Sequence, residues 1–188
     1  MRILLHVCCG PCALNPLETL QIEGRILTGF WYNPNIHPYS EYQRRLMTAG
    51  FLFQRLGISL AIQEADFPGF LTGLVEAQNR GERCIYCYQE RLRNTATAAK
   101  KGGYDSFSTT LLASRRQPHE KVRELGVEIG KEVGIPFLYR DFRSFGEDFR
   151  RKIQRWGIYH QNYCGCIYSE WERTVGKRVA DETPERKR

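Results

Sequence analysis

The chain alternates short apolar runs with amphipathic stretches of helical period, and no other feature narrows its fold so far. Runs rich in aliphatic and aromatic residues at 2–7, 25–32, 58–65, 104–109 and 135–140 have the length and composition of strands. Helical patterns lie between them. Ser40 with Gln43 has the form of a capping box, and Tyr42, Leu46, Phe53 and Leu56 then mark one face up to Gly57. From Pro118, residues Val122, Leu125, Ile129 and Val133 recur at helical spacing and stop before Gly134. Two further helices are expected, one from Ala13 to Gly24 with Pro16 in its first turn, the other from Tyr88 to Lys101 before Gly102 and Gly103. Strand then helix, repeated, predicts an α/β fold on a mostly parallel sheet. The length of 188 residues fits one domain over 1–173, with 174–188 expected to be a flexible tail because it carries Pro184, mixed charge and little to bury.

In open α/β sheets, ligands bind outside the carboxyl ends of the strands. Cys8, Cys9 and Cys12 follow the first expected strand immediately and so fall where a site belongs. Four more cysteines form two further groups, Cys84 with Cys87 and Cys164 with Cys166. Seven is an odd number, and no secretory signature precedes them, so a disulfide framework explains them poorly and metal binding or redox chemistry explains them better. A C-x-x-C pair at the start of a helix is a ready ligand unit, because the helix N-terminus stabilises thiolates. Side chains of the adjacent Cys8 and Cys9 are expected to diverge, which suits two irons of one cubane better than a single zinc. Cys8, Cys9, Cys84 and Cys87 would then hold a [4Fe–4S] cluster, leaving Cys12 for an extra metal or as a free thiol. A structural zinc site and buried, inert cysteines are the alternatives. A bridge across the single glycine between Cys164 and Cys166 would be strained and labile, so these two read as a redox-active pair.

The formal charge of +7 and pI near 9.1 favour a polyanionic partner. Between Arg140 and Tyr168 the residues Arg143, Arg150, Arg151, Lys152 and Arg155 interleave with Phe142, Phe145, Phe149, Trp156, Tyr159 and Tyr163. Basic groups grip phosphates and aromatic faces stack unpaired bases, so this segment reads either as an RNA-loop surface or as a helix that buries its aromatics. The 32–38 loop, rich in turn formers, also follows a strand, whereas His6 inside a strand reads as a core histidine. Neither a P-loop nor a G-x-G-x-x-G fingerprint is present, which disfavours nucleotide hydrolysis and direct nicotinamide binding. The apolar run at 3–7 is too short for an export signal and no run reaches the roughly 20 residues of a membrane span, so a cytoplasmic protein is expected.

The runs HVCCGPC at 6–12, YNPNIHP at 32–38, RCIYCYQERL at 83–92, STTLL at 108–112 and YCGCIYS at 163–169 together resemble the epoxyqueuosine reductases of the QueH type. The resemblance reaches from the first strand to about Trp171. It implies an adenine-nucleotide α-hydrolase-like (HUP, Rossmann-like) sandwich and an oxidoreductase that removes the epoxide oxygen of epoxyqueuosine at the wobble position of GUN-anticodon tRNAs. It further implies a [4Fe–4S] cluster on Cys8, Cys9, Cys84 and Cys87, a redox-active disulfide between Cys164 and Cys166, and an external electron donor. Some members carry aspartate at the position of Cys12, beside an additional metal ion. For such a reaction Tyr163, His160 and His37 are candidate proton donors, and the basic segment becomes a candidate tRNA surface. A zinc-stabilised RNA-binding module and a general thiol–disulfide oxidoreductase are the rival functions.

Overall fold

The computed structural model describes residues 1–143, 147–161 and 163–182. Four strands, β1 (Arg2–His6), β2 (Ile26–Trp31), β3 (Leu60–Ile62) and β4 (Ser106–Thr109), form one all-parallel sheet in the order β3-β2-β1-β4. Ile3, Leu4 and Leu5 of β1 are buried on both faces, as a central parallel strand requires. Leu4 stands opposite Thr28 on one side and Phe107 on the other. Helices α1 (Gly10–Ile22) and α2 (Tyr39–Arg55) pack against each other, as do α4 (Arg83–Lys101) and α5 (His119–Val133). Right-handed crossovers set the two pairs on opposite faces of the sheet, which is the Rossmann-like sandwich expected. Strand order reverses between β1 and β4, so the topological switch point, where such sheets bind ligands, lies outside His6 and Thr109.

Several local expectations change. The fifth strand is not formed: 135–140 touches β4 through one parallel bridge, Phe107 to Phe137, because Pro136 offers no amide to extend the ladder. The capping box at Ser40 is absent, and α2 starts one turn or less after Pro38 with no side-chain cap. α1 begins at Gly10 rather than Ala13, so Pro16 lies in its second turn and withholds a helical N–H from the Cys12 carbonyl. α4 starts at Arg83, five residues before Tyr88, which places Cys84 and Cys87 inside the helix itself. α3 (Phe67–Asn79) carries apolar residues beyond its buried stripe, with Phe70 and Leu74 buried but Leu71 and Val75 exposed, which blurs its amphipathic pattern. α6 (Glu147–Trp156) and α7 (Ile167–Glu182) complete the fold. Phe145 lies outside the described residues. Among the described residues no helix is long and apolar enough to cross a membrane.

Candidate metal and thiol site

The first thiols emerge where β1 runs into α1. Cys9 is extended at the helix N-cap and its sulfur accepts the amide of Cys12 at 3.4 Å, which turns it back toward Cys8, 3.9 Å away. The Cys8 and Cys9 side chains therefore converge rather than diverge, and spacing alone does not separate a cubane from a single ion. Sulfur atoms of Cys8, Cys9 and Cys12 all lie within 4.8 Å of one another, a group able to hold a metal. Thr110, from the turn after β4, accepts the Cys8 amide at 3.0 Å and donates its hydroxyl to the Cys8 sulfur at 3.2 Å. Donation from Cys12, Cys9 and Thr110, with Arg91 nearby, brings the Cys8 thiol well below its ordinary range despite burial. That first ionisation pushes Cys12 up, since its proton is shared with Cys8.

Cys164 of the third group meets this one around a cavity of about 350 Å³, lined by Cys8, Cys9, Cys12, Arg91, Gln117 and Cys164 among others, and the second group lies behind it, linked through Arg91. Cys87 is buried beside Phe70 and Leu74, and burial raises its thiol against the pull of Arg91, whose Nη1 lies 3.6 Å from the sulfur. Cys84 is more exposed, and Cys166 lies close enough to act electrostatically on both. Cys164 and Cys166 are free thiols joined by a hydrogen bond that lowers Cys164 and raises Cys166. Gln117 adds a donor to the Cys164 sulfur at 3.5 Å and is itself held by the Tyr88 hydroxyl. Cys164 is thus the more readily ionised thiol of the pair and the one on the cavity wall. Gln117→Leu should slow alkylation of Cys164 at neutral pH by roughly tenfold, the effect of losing one hydrogen bond to a charged group. Iodoacetamide labelling followed by peptide mass analysis measures this, and an unchanged rate would refute the role.

The loop carrying the pair is pinned from α2. Arg45, 2% exposed, is bonded to Glu41 at 2.6 Å and donates to the Cys164 carbonyl at 3.0 Å. Gly165 has φ +113°, and a Cβ there would stand 2.8 Å from the Arg45 guanidinium, so glycine is required between the two thiols. Tyr163 and His160 also line the cavity, whereas His37 packs at a tilt against Phe67 and is not part of the lining. Burial lowers both histidines and raises Tyr163, whose hydroxyl donates to the His37 carbonyl at 3.2 Å. His6 is fully buried between Thr109 and the Tyr32 carbonyl and is lowered to about 3 by burial, as a core histidine should be.

The basic aromatic segment divides. Phe142 is buried, Arg44 covers the Tyr159 ring and Arg55 covers Trp156, so these aromatics serve packing. Phe149 faces the cavity. Arg143 pairs with Asp141, and Lys152 bonds Asn15 and Glu18, while Arg150, Arg151 and Arg155 are exposed on α6. Sequence reading missed Arg45, Arg91, Gln117 and the cavity-lining Arg115 and Arg116. Arg91 alone left a signal, being four residues after Cys87 and so on the same helical face.

A family model described as epoxyqueuosine reductase QueH matches residues 3–172. The chain belongs to the QueH family. A QueH epoxyqueuosine reductase from Dehalococcoides mccartyi is 36% identical over 92% of this chain and 94% of its own length. One from Thermotoga maritima is 35% identical over 91% of each. Among solved structures, a predicted subunit of tRNA methyltransferase from Methanocaldococcus jannaschii superposes with a TM-score of 0.57 at 12% identity, covering 95% of this chain and 88% of that one. At that identity the likeness speaks for the fold. The QueH match spans all three cysteine groups and the residues that line the cavity.

Proposed function

We propose that this QueH-family protein reduces epoxyqueuosine to queuosine in tRNA, with a [4Fe–4S] cluster on Cys8, Cys9, Cys84 and Cys87 and a redox pair at Cys164 and Cys166. The observation that carries this reading is the cavity that brings Cys8, Cys9 and Cys12 together with Cys164 and Arg91, with Cys87 held against Arg91 from one helical turn away. The donor set fits the cluster on electrostatic grounds. Arg91 is 1% exposed, and among the described residues its Nε and Nη2 have no hydrogen-bond partner, so the site holds a buried positive charge that an anionic thiolate centre would answer. Bound there, the cluster supplies one-electron transfers between an external donor and the site.

The residues of the chain supply the rest. Oxidation of Cys164 and Cys166 to a disulfide releases two electrons and two protons. The epoxide takes up both pairs, its two C–O bonds break, a C=C bond forms and the oxygen leaves as water. An external reductant returns the disulfide to two thiols. The thiol protons reach the epoxide oxygen by way of an acid on the cavity wall, which one of them then restores. Tyr163 and His160, both on the cavity wall, fill that role better than His37. Of the two, Tyr163 is held in its protonated form. Cys12, within reach of Cys8 and Cys9, can share a second metal acting as Lewis acid on the same oxygen. A tRNA substrate and oxidation-prone thiols both suit the cytoplasm.

The test is turnover of epoxyqueuosine-containing tRNA by anaerobic, iron- and sulfide-loaded protein with a chemical reductant. Nucleoside mass analysis should show a product lighter by one oxygen; no conversion by fully loaded protein overturns the reading. For the tRNA surface, joint charge reversal of Arg150 and Arg151 should weaken binding and flatten the log–log salt slope by about 1–2. Equal affinity and slope in a filter-binding titration would return α6 to a purely structural role.

A further inference from the structure

Among the described residues two arginines, Arg45 and Arg91, lie fully inside this protein, and they are treated differently. Arg45 has a carboxylate, Glu41, and two backbone carbonyls. Arg91, 1% exposed, has the neutral amide oxygen of Asn35 at 3.0 Å and the Cys87 sulfur at 3.6 Å, both on Nη1, and nothing on Nε or Nη2. Among the described residues no carboxylate pairs with it. A guanidinium cannot shed its proton to escape burial, so an uncompensated one is retained only if an anion stands beside it. Arg91 lines the cavity together with Cys8 and Cys164, and it touches Cys87 from one turn away on α4. The acidic groups that act on it are the thiols of Cys87, Cys164 and Cys8 and the Tyr88 hydroxyl.

We infer that Arg91 is the fixed counter-cation of the thiolate metal centre and raises its reduction potential. The inference rests on the cluster proposed above. A cluster with four thiolate ligands is anionic and gains one more negative charge when it accepts an electron. A positive charge in a dry site therefore favours the reduced form over the oxidised one. Asn35, from the loop after β2, holds the guanidinium in place, which gives the turn-rich 32–38 segment a role beyond connection. Cys87 thus has two neighbours of opposite kind, apolar Phe70 and Leu74 on one side and a cation on the other.

The experiment compares wild type, R91Q and R91K as anaerobically reconstituted full-length proteins, with iron and sulfide content and the midpoint potential from a spectroscopic redox titration as readouts. Loaded R91Q should be harder to reduce by at least about tenfold in the reduction equilibrium, ~59 mV for a one-electron couple, with R91K returning most of the shift. If R91Q fails to hold the cluster while R91K holds it, the charge requirement is shown equally. An R91Q cluster of normal content and unchanged potential overturns the inference and leaves the proposed function standing. Loss of the cluster in both variants overturns it too, since guanidinium shape rather than charge would then be what matters. A wild-type protein that binds zinc alone and no cluster overturns both readings.

Discussion

Cys87→Ser is expected to leave the protein folded, strip it of cluster iron and reduce turnover of epoxyqueuosine tRNA by at least about 10³-fold, as loss of one member of an interdependent catalytic set does. The substitution is nearly isosteric, so the small apolar cluster with Phe70 and Leu74 keeps its packing, but a serine hydroxyl does not ionise to a soft ligand. Iron and sulfide per chain, absorbance and melting temperature separate ligand loss from unfolding. Cys84→Ser should behave alike even though that thiol is the more exposed of the two. Cys12→Ser should keep the cluster and lose only the second metal, because Cys12 is the member of the first group that is surplus to a four-ligand set. A Cys87→Ser protein with wild-type iron content and turnover would refute the ligand assignment.

Cys164→Ser should give the complementary phenotype, with full iron content and turnover reduced by about 10³-fold or more. The pair is asymmetric: Cys164 is lowered by the Cys166 hydrogen bond and by Arg91, while Cys166 is raised by the same bond. In wild type, alkylation of Cys164 should therefore persist as pH falls below the ordinary thiol range, with Cys166 labelled only at higher pH. Cys166→Ser removes the main group that lowers Cys164 and should shift its alkylation profile upward. Turnover by Cys164→Ser at the normal rate would remove the thiol pair from the reaction. Electrons would then have to reach the epoxide by single steps alone.

The periodic elements were legible for a simple reason: α2 and α5 each bury one stripe and expose the other, and β1 is apolar throughout because it is central. α3 was not legible because exposed Phe67, Leu71 and Val75 border its buried stripe and blur the contrast that marks an amphipathic helix. The Ser40 capping signal failed because Pro38 already starts the turn, and the strand at 135–140 failed because Pro136 breaks its donor pattern. At the site, the thiols announce themselves by type and spacing. Arg45, Arg91 and Gln117 do not, since an arginine or glutamine in a helix or loop looks like a solvated surface residue until the fold buries it.

By itself the sequence determined the α/β class, the position of the first cysteines after a strand, and the family, because these depend on local period and on motif strings. Only the tertiary structure decided that Cys8 and Cys9 converge, that Thr110 reaches Cys8, and that Cys164 shares a cavity with both. Those contacts follow from β4 pairing with β1 across more than a hundred residues, which opens the switch point between them. Strand pairing over such a distance is settled by how whole faces bury, and short-range pattern carries no record of it.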